Sequence, residues 1–170
     1  MQSLLSKEEY NPYYGIFIDK ALKEDIVEGL QEGIAQFVDF VKGIPEEKMK
    51  YAYDHGKWTI AEVLQHIIDT ERIFSYRALR FARKDNSPLI GFDQDDYVPN
   101  SNANNIGKQE FIEDFKAVRN SSISLYKGFT SEMLTWIGEA SGSPMSARAA
   151  GYILSGHQTH HLEVIKERYL

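Results

Sequence analysis

Apolar positions along this chain recur at helical spacing almost throughout. Ile26, Leu30, Ile34, Phe37 and Val41 mark one stripe and predict a helix from about Asp25 to Lys42. Asp25 with Glu28 supplies a capping box at its start, and Gly43 and Pro45 end it. The second helix has the clearest start signal: Thr59 followed by Glu62 is a capping box, with Trp58 at the staple position before it. Ile60, Val63, Leu64, Ile67, Phe74, Ala78 and Phe81 carry its stripe to about Arg83. From Lys84 to Lys108 the pattern gives way to Asn, Asp, Pro and Gly, a loop of unusual length, and such loops are often functional. A third helix is predicted from Gln109 to Gly128, with Phe111, Phe115, Val118 and Leu125 inward, and a helical turn from Ser131 to Trp136. The fourth helix is expected to start after Ser143, with Pro144 at its first position, and to run to the end of the chain. Four long helices without a repeat or linker predict an all-α four-helix bundle, one domain over residues 1–170.

Composition narrows the function classes. The net charge of −6 and the scattered Lys and Arg argue against a nucleic-acid partner. Absence of cysteine excludes a disulfide scaffold, a thiolate metal site and a cysteine nucleophile, and fits a cytoplasmic protein. The N-terminal residues show no basic start followed by an apolar core, so no signal peptide is expected. Nor does any apolar run approach the length needed to span a membrane.

The candidate chemistry lies in the histidines. His157 and His161 are four apart, so on a helix both imidazoles leave one face, one turn above the other. They share the broad apolar face of Ala150, Ile153, Leu154, Val164 and Ile165, which turns them inward. Of the five histidines, His66 also lies in a strongly helical segment, at the flank of its stripe and roughly 60° from Val63. From that flank it can reach a metal held by the fourth helix. Three neutral imidazoles suit zinc, nickel, iron or copper and leave positions open for water and substrate. On spacing alone two descriptions stand level: a metal site, or core histidines satisfied by a carbonyl or a carboxylate. His160 reads as a flanking residue and His55 as part of a surface turn.

Other polar residues have paired readings. Glu62 is best explained as the capping partner of Thr59, whereas Asp69 is the carboxylate expected to orient His66 or accept a proton. Glu71 falls inside the apolar stripe, about 140° from His66, and calls for a buried partner such as Arg148 or Arg119. The loop Gly91 to Tyr97, whose spacing is not that of an EF-hand, reads chiefly as a polar connection with its own turn bonds that contributes to the pocket wall, and as a lid it would let Asp93 or Tyr97 touch substrate. Arg77 lies on the row of His66 three turns on, and Arg168 two turns beyond His161; either could receive an anionic substrate group, and both could equally be surface salt-bridge partners. Both tryptophans read as packing residues.

Lys57-Trp58-Thr59 opening a helix that carries His66, a Gly91-Phe92-Asp93 loop, and Gly156-His157 with His160-His161 near the end form a specific combination. From about Tyr13 to its last residue the chain resembles the DinB/YfiT-like superfamily, whose members are regarded as metal-dependent enzymes. The resemblance implies a four-helix bundle with up-down-down-up connectivity and a divalent metal, zinc, nickel or iron, held by His66, His157 and His161. It also implies a homodimer, and an activity on a small molecule that is either hydrolysis or transfer of a low-molecular-weight thiol. The name carries no implication of DNA binding. The alternative is a non-catalytic bundle that binds a small ligand or partner, its metal structural or absent. A fourth protein ligand would close the site and favour that alternative.

Overall fold

The computed structural model describes residues 4–170. Four long helices make the body: α2 (Ile26–Gly43), α3 (Ile60–Ala82), α5 (Lys108–Lys127) and α7 (Ala147–Arg168). Short pieces join them: α1 (Gly15–Ile18), α4 (Gln94–Tyr97), α6 (Ser131–Thr135), and a hairpin of β1 (Ile137–Ala140) and β2 (Ser143–Ser146). Among the described residues, no helix is long and apolar enough to cross a membrane.

The start signals act as expected where they are local. Asp25 accepts a hydrogen bond from the Glu28 backbone N–H at 2.9 Å, and the Thr59–Glu62 capping box closes in both directions. Consecutive helices α2 and α3 are not neighbours: each packs against both α5 and α7, so the two lie across the bundle from each other. The core has two apolar halves. Leu30, Phe74, Phe81, Ile123 and Leu154 belong to one; Phe37, Leu64, Phe111, Phe115 and Leu162 belong to the other, where Phe37 and Phe115 stack 3.8 Å apart.

Between the halves in sequence, on every long helix, sits a polar or minimal residue: Gly33, Glu71, Arg119 with Ser122, and Gln158. Arg119 grips Glu71 with two parallel bonds of 2.7 and 2.8 Å, and Ser122 donates to the same carboxylate at 2.8 Å. Its third nitrogen donates to the Leu30 carbonyl at 3.2 Å. Both charged side chains are essentially removed from water, so the pair needs this full set of partners to offset desolvation. Gly33 makes room for it: a Cβ there would lie 2.3 Å from Arg119 Nη1 and 2.8 Å from Gln158 Oε1. The partner expected for Glu71 is thus Arg119; Arg148 pairs with Glu9 instead.

Two expectations are corrected. The fourth helix does not begin at Ser143 and Pro144. Both lie in β2, which pairs with β1 in the register Ile137↔Ser146 to Ala140↔Ser143. Ser141 and Gly142 turn the hairpin with φ of 54° and 69°, the left-handed pair of a tight two-residue turn, and Ser146 caps α7 by accepting from Ala149 N–H. Pro144 is tolerated because, among the described residues, no further strand pairs on the outer side of β2, so its missing N–H breaks no ladder there. The long connection after α3 is also not without structure: Leu89 bridges to Ala140, α4 follows, and 3-10 turns at Val98–Asn100 and Ala103–Asn105 lead into α5.

The N-terminal segment, unanticipated as structure, drapes α7. Ser155 Oγ accepts from Leu22 N–H at 3.0 Å, Tyr152 donates to the Glu24 carbonyl, and Ser146 N–H donates to the Glu9 carbonyl. Gly156 permits the closest crossing: a Cβ there would fall 1.7 Å from the Phe17 carbonyl oxygen. Backbone cannot yield as a side-chain tip can, so only glycine fits.

Two stability predictions follow from this packing. Arg119→Met, leaving Glu71 buried and alone, should cost about 3–5 kcal/mol in urea unfolding. Adding Glu71→Leu should recover a large part of it. Gly156→Ala should lower Tm and expose the α1 segment to limited proteolysis, whereas Gly43→Ala, where a Cβ meets nothing within 4 Å, should leave both unchanged.

Candidate metal centre

α3 and α7 pack along their length, and the contact brings His66 against His157 and His161. His157 Nε2 lies 3.0 Å from His66 Nε2 and 3.0 Å from His161 Nε2. A tetrahedral ion with metal–nitrogen bonds of about 2.0–2.1 Å would set its ligand nitrogens about 3.3 Å apart, so the cluster is close to a ligand triangle. The donor chemistry fits as well. A neutral imidazole Nε2 has either one proton or one lone pair, so His157 cannot donate to one neighbour while accepting from the other. A cation accepting a lone pair from each ring resolves the conflict. Among the described residues, no carboxylate joins this group of potential ligands, which leaves its remaining side open.

The surroundings keep the rings neutral, which is the ligand form. Burial pushes His66 down from 6.5 to about 4. His157 and His161 fall well below their ordinary value, first through burial and then through neighbouring histidine charge, from His161, His66 and His160 for His157 and from His66 and His160 for His161. The walls are aromatic. Trp58 lies 5.0 Å from the His66 ring, and Phe17 meets His157 and His160 edge-on at 5.2 Å each. Phe17 is delivered by the backbone crossing at Gly156.

A cleft of about 810 Å³ opens from the three histidines. Its floor is one strip of α3, His66, Thr70, Phe74 and Arg77; Tyr13 and Tyr14, the segment from Ile90 to Asp95, and Ser141 form its walls. A smaller cavity of about 300 Å³, bounded by Tyr53, Lys57, Trp58 and Tyr169, reaches His161 from another side.

The structure sorts the remaining candidates. Arg77 faces the cleft, buried, with Nη2 donating to Ser141 Oγ at 2.9 Å and its guanidinium over Phe74. Asp93 is at the rim, where it caps α4 by accepting from Asp95 N–H. Tyr97, expected to touch substrate, lines neither cavity; its ring packs on Phe92 and it is half in solvent. Asp69, expected to orient His66, instead accepts from Gln65 at 2.9 Å and Arg72 at 3.2 Å. Nearest to His66 Nδ1 is the Thr70 hydroxyl, at a long 3.5 Å. Position explains the exchange: Asp69 is i+3 and on the exposed shoulder, whereas Thr70 is i+4 and directly below the ring. Glu62 is the capping residue expected, His55 is exposed, and Arg168 lies over Tyr53 at the surface. Trp58 packs, as read, but beside a site histidine; Trp136 packs on Phe81 at the end of α3. Sequence reading missed Phe17, Thr70, Phe74 and Ser141. Thr70 and Phe74 were findable, one and two turns from His66 on the same row.

The sequence profile of the DinB superfamily matches residues 30–165. The chain belongs to the DinB superfamily. A protein of Oceanobacillus iheyensis, provisionally named a metal-dependent hydrolase, is 26% identical over 155 residues, covering 87% of each chain. The fold is that of YfiT from Bacillus subtilis, with a TM-score of 0.75 at 13% identity over 96% of this chain and 89% of that one. That structure is described as a probable metal-dependent hydrolase with an unusual four-helix bundle topology.

The depressed imidazoles have a stability consequence. Between pH 4 and 6.5 the unfolded chain holds protons that folded His66 does not, so folding weakens as pH falls through that window. The metal-free protein should show a falling urea midpoint from pH 7 to 4.5, and His66→Phe, which cannot take up the proton, should show a shallower fall.

Proposed function

We propose that this protein is a metal-dependent hydrolase of a small molecule, with His66, His157 and His161 holding one divalent ion. The observation that carries the reading is the convergence of three imidazole nitrogens, two buried and one half-buried, within 4.8 Å of one another and with His157 Nε2 3.0 Å from each of the other two, at a large open cleft. The name of the Oceanobacillus relative supports the same class. A divalent ion with three nitrogen ligands supplies a Lewis acid and activates water at neutral pH. The chain's own contribution is to present the nitrogens unprotonated, to hold them between Trp58 and Phe17 away from bulk solvent, and to leave one side free for substrate. Thr70 and Phe74 extend that free side along α3.

The second cavity at His161 favours one further reading, transfer of a low-molecular-weight thiol to the substrate. Two spaces meeting at one ligand can seat two reactants. Product analysis separates the readings: hydrolysis consumes water alone, and transfer leaves a thioether or exchanged thiol.

Elemental analysis of the untagged protein tests the centre. The wild type should carry about one equivalent of zinc, nickel or iron, and His161→Ala and His157→Ala should each lose most of it. Hydrolysis of an ester and amide panel should vanish with chelation and return with the ion. Failure of the wild type to retain any metal after dialysis against each ion would overturn the reading.

A further inference from the structure

We infer that the cleft binds an elongated anionic substrate, with a carboxylate or phosphate seated on Arg77 at the end remote from the three histidines. The proposal rests on reading the cleft as the substrate site of the enzyme proposed above.

Arg77 is 2% exposed and, among the described residues, forms no ion pair. The other buried arginine, Arg119, is matched by a carboxylate and a serine, as the cost of desolvating a guanidinium requires. Arg77 has a single hydrogen bond, from Nη2 to Ser141 Oγ. Its remaining N–H groups are not sealed in the core. Among the described residues, Gln158 Oε1 is the buried side-chain polar atom without a partner, so the free donors of Arg77 open onto the cleft that it lines. Two rings hold the guanidinium in place, Phe74 at 4.8 Å and Phe92 at 6.0 Å. Such stacking leaves the edge of the fork free, and that edge is the part that binds carboxylate or phosphate in a bidentate manner.

The spacing sets the ligand's shape. Arg77 is eleven residues from His66 on α3, about 16 Å along the axis. Both side chains lean toward the N-terminus, so the gap is shortened only by the greater reach of Arg77 and stays somewhat below this axial spacing. Phe74 and Thr70 line the interval, which suits an apolar or aromatic body between the anionic end and the reacting end. A purely structural Arg77, tying the hairpin to α3 through Ser141, would leave its other donors without purpose.

Calorimetric titration with 3-phenylpropionate, phenyl phosphate and the neutral 3-phenylpropanamide tests the assignment, on the full chain as purified and after chelation. Wild type should prefer the anions over the amide by about 10- to 100-fold in both forms, as charged hydrogen bonds do. Arg77→Gln should lose the preference while retaining its metal. Which anion binds tighter identifies carboxylate or phosphate as the group. A preference that survives in Arg77→Gln, or that disappears from the wild type on chelation because the anion sat on the metal, overturns the inference and leaves the metal reading intact. A protein that never holds metal yet shows an Arg77-dependent preference overturns the metal reading alone. Should Arg77→Gln not fold, the Arg77 Nε–H resonance of the wild type decides: it should move with the anions and not with the amide, and an unmoved resonance overturns the inference.

Discussion

The arrangement depends on α7 being enclosed on every side. Each residue from Ala149 to Thr159 is buried, which no helix with one apolar stripe could allow. Enclosure demands small residues where neighbours come close, and the helix supplies Ala149, Ala150, Gly151, Ser155 and Gly156. A Cβ at Gly151 would meet Ile26 at 2.7 Å and Tyr126 at 2.9 Å, while Gly156 admits the Phe17 backbone. A helix so enclosed carries His157 into the interior and leaves His161, one turn on, at the edge where the cleft begins. His157 is therefore the deeper of the two imidazoles and His161 the more exposed, and both line the cleft. The N-terminal segment is part of this construction, since without it one face of α7 and the Phe17 wall of the site would stand in water.

The buried Glu71–Arg119 pair fixes a second coordinate. Apolar side chains can slide by part of a turn and repack, but a bidentate guanidinium–carboxylate contact has a single register. Glu71 lies five residues beyond His66 on α3 and Arg119 on the adjacent α5, so the pair fixes the register of these two helices close to the histidines. Gln158, beside His157, donates to Gly33 O at 2.9 Å and to Gln36 at 2.7 Å, which ties α7 to α2 at the same level. The three imidazoles therefore meet at a point set by polar contacts of defined geometry.

What could be read from sequence was local, and what could not was decided by contacts distant in the chain. Thr59 and Glu62 are three residues apart and bond directly, so their cap needs no tertiary knowledge. His157 and His161 share a face by helical geometry alone, and His66 was placed by counting around a second helix. The same counting sets Asp69 and Thr70 on opposite sides of His66, about 60° and 40° away, and which of them meets the ring rests on which shoulder α7 covers. Ser143-Pro144 satisfies the rules for a helix start as well as those for a strand with a free edge. Its fate was settled by the left-handed pair at Ser141 and Gly142 and by Leu89, over fifty residues away from α7's histidines, pairing with the hairpin. α1 has four residues and no period to detect. Its message lay in composition, the aromatic and aliphatic run from Tyr13 to Ile18 in a stretch that sequence reading left without structure.

The site thus divides by origin. Its histidine end is built from long helices locked by buried polar contacts, which is where the geometry of a site must be held to fractions of an ångström. The opposite end is built from the segment after α3 and the β1–β2 turn, which Leu89 ties to each other through Glu139 and Ser141, and which Arg77 ties to α3 through Ser141. Gly91 lies so near this turn that a Cβ would meet Ser141 Oγ at 3.2 Å. Apart from Leu89, Ala140 and Met145, which join the core, the exposed positions of these connections can change at little cost to the bundle. A fold that separates the two functions in this way can keep one chemistry at the histidines while the loop end, with Arg77 as its fixed charge, selects what is brought to them.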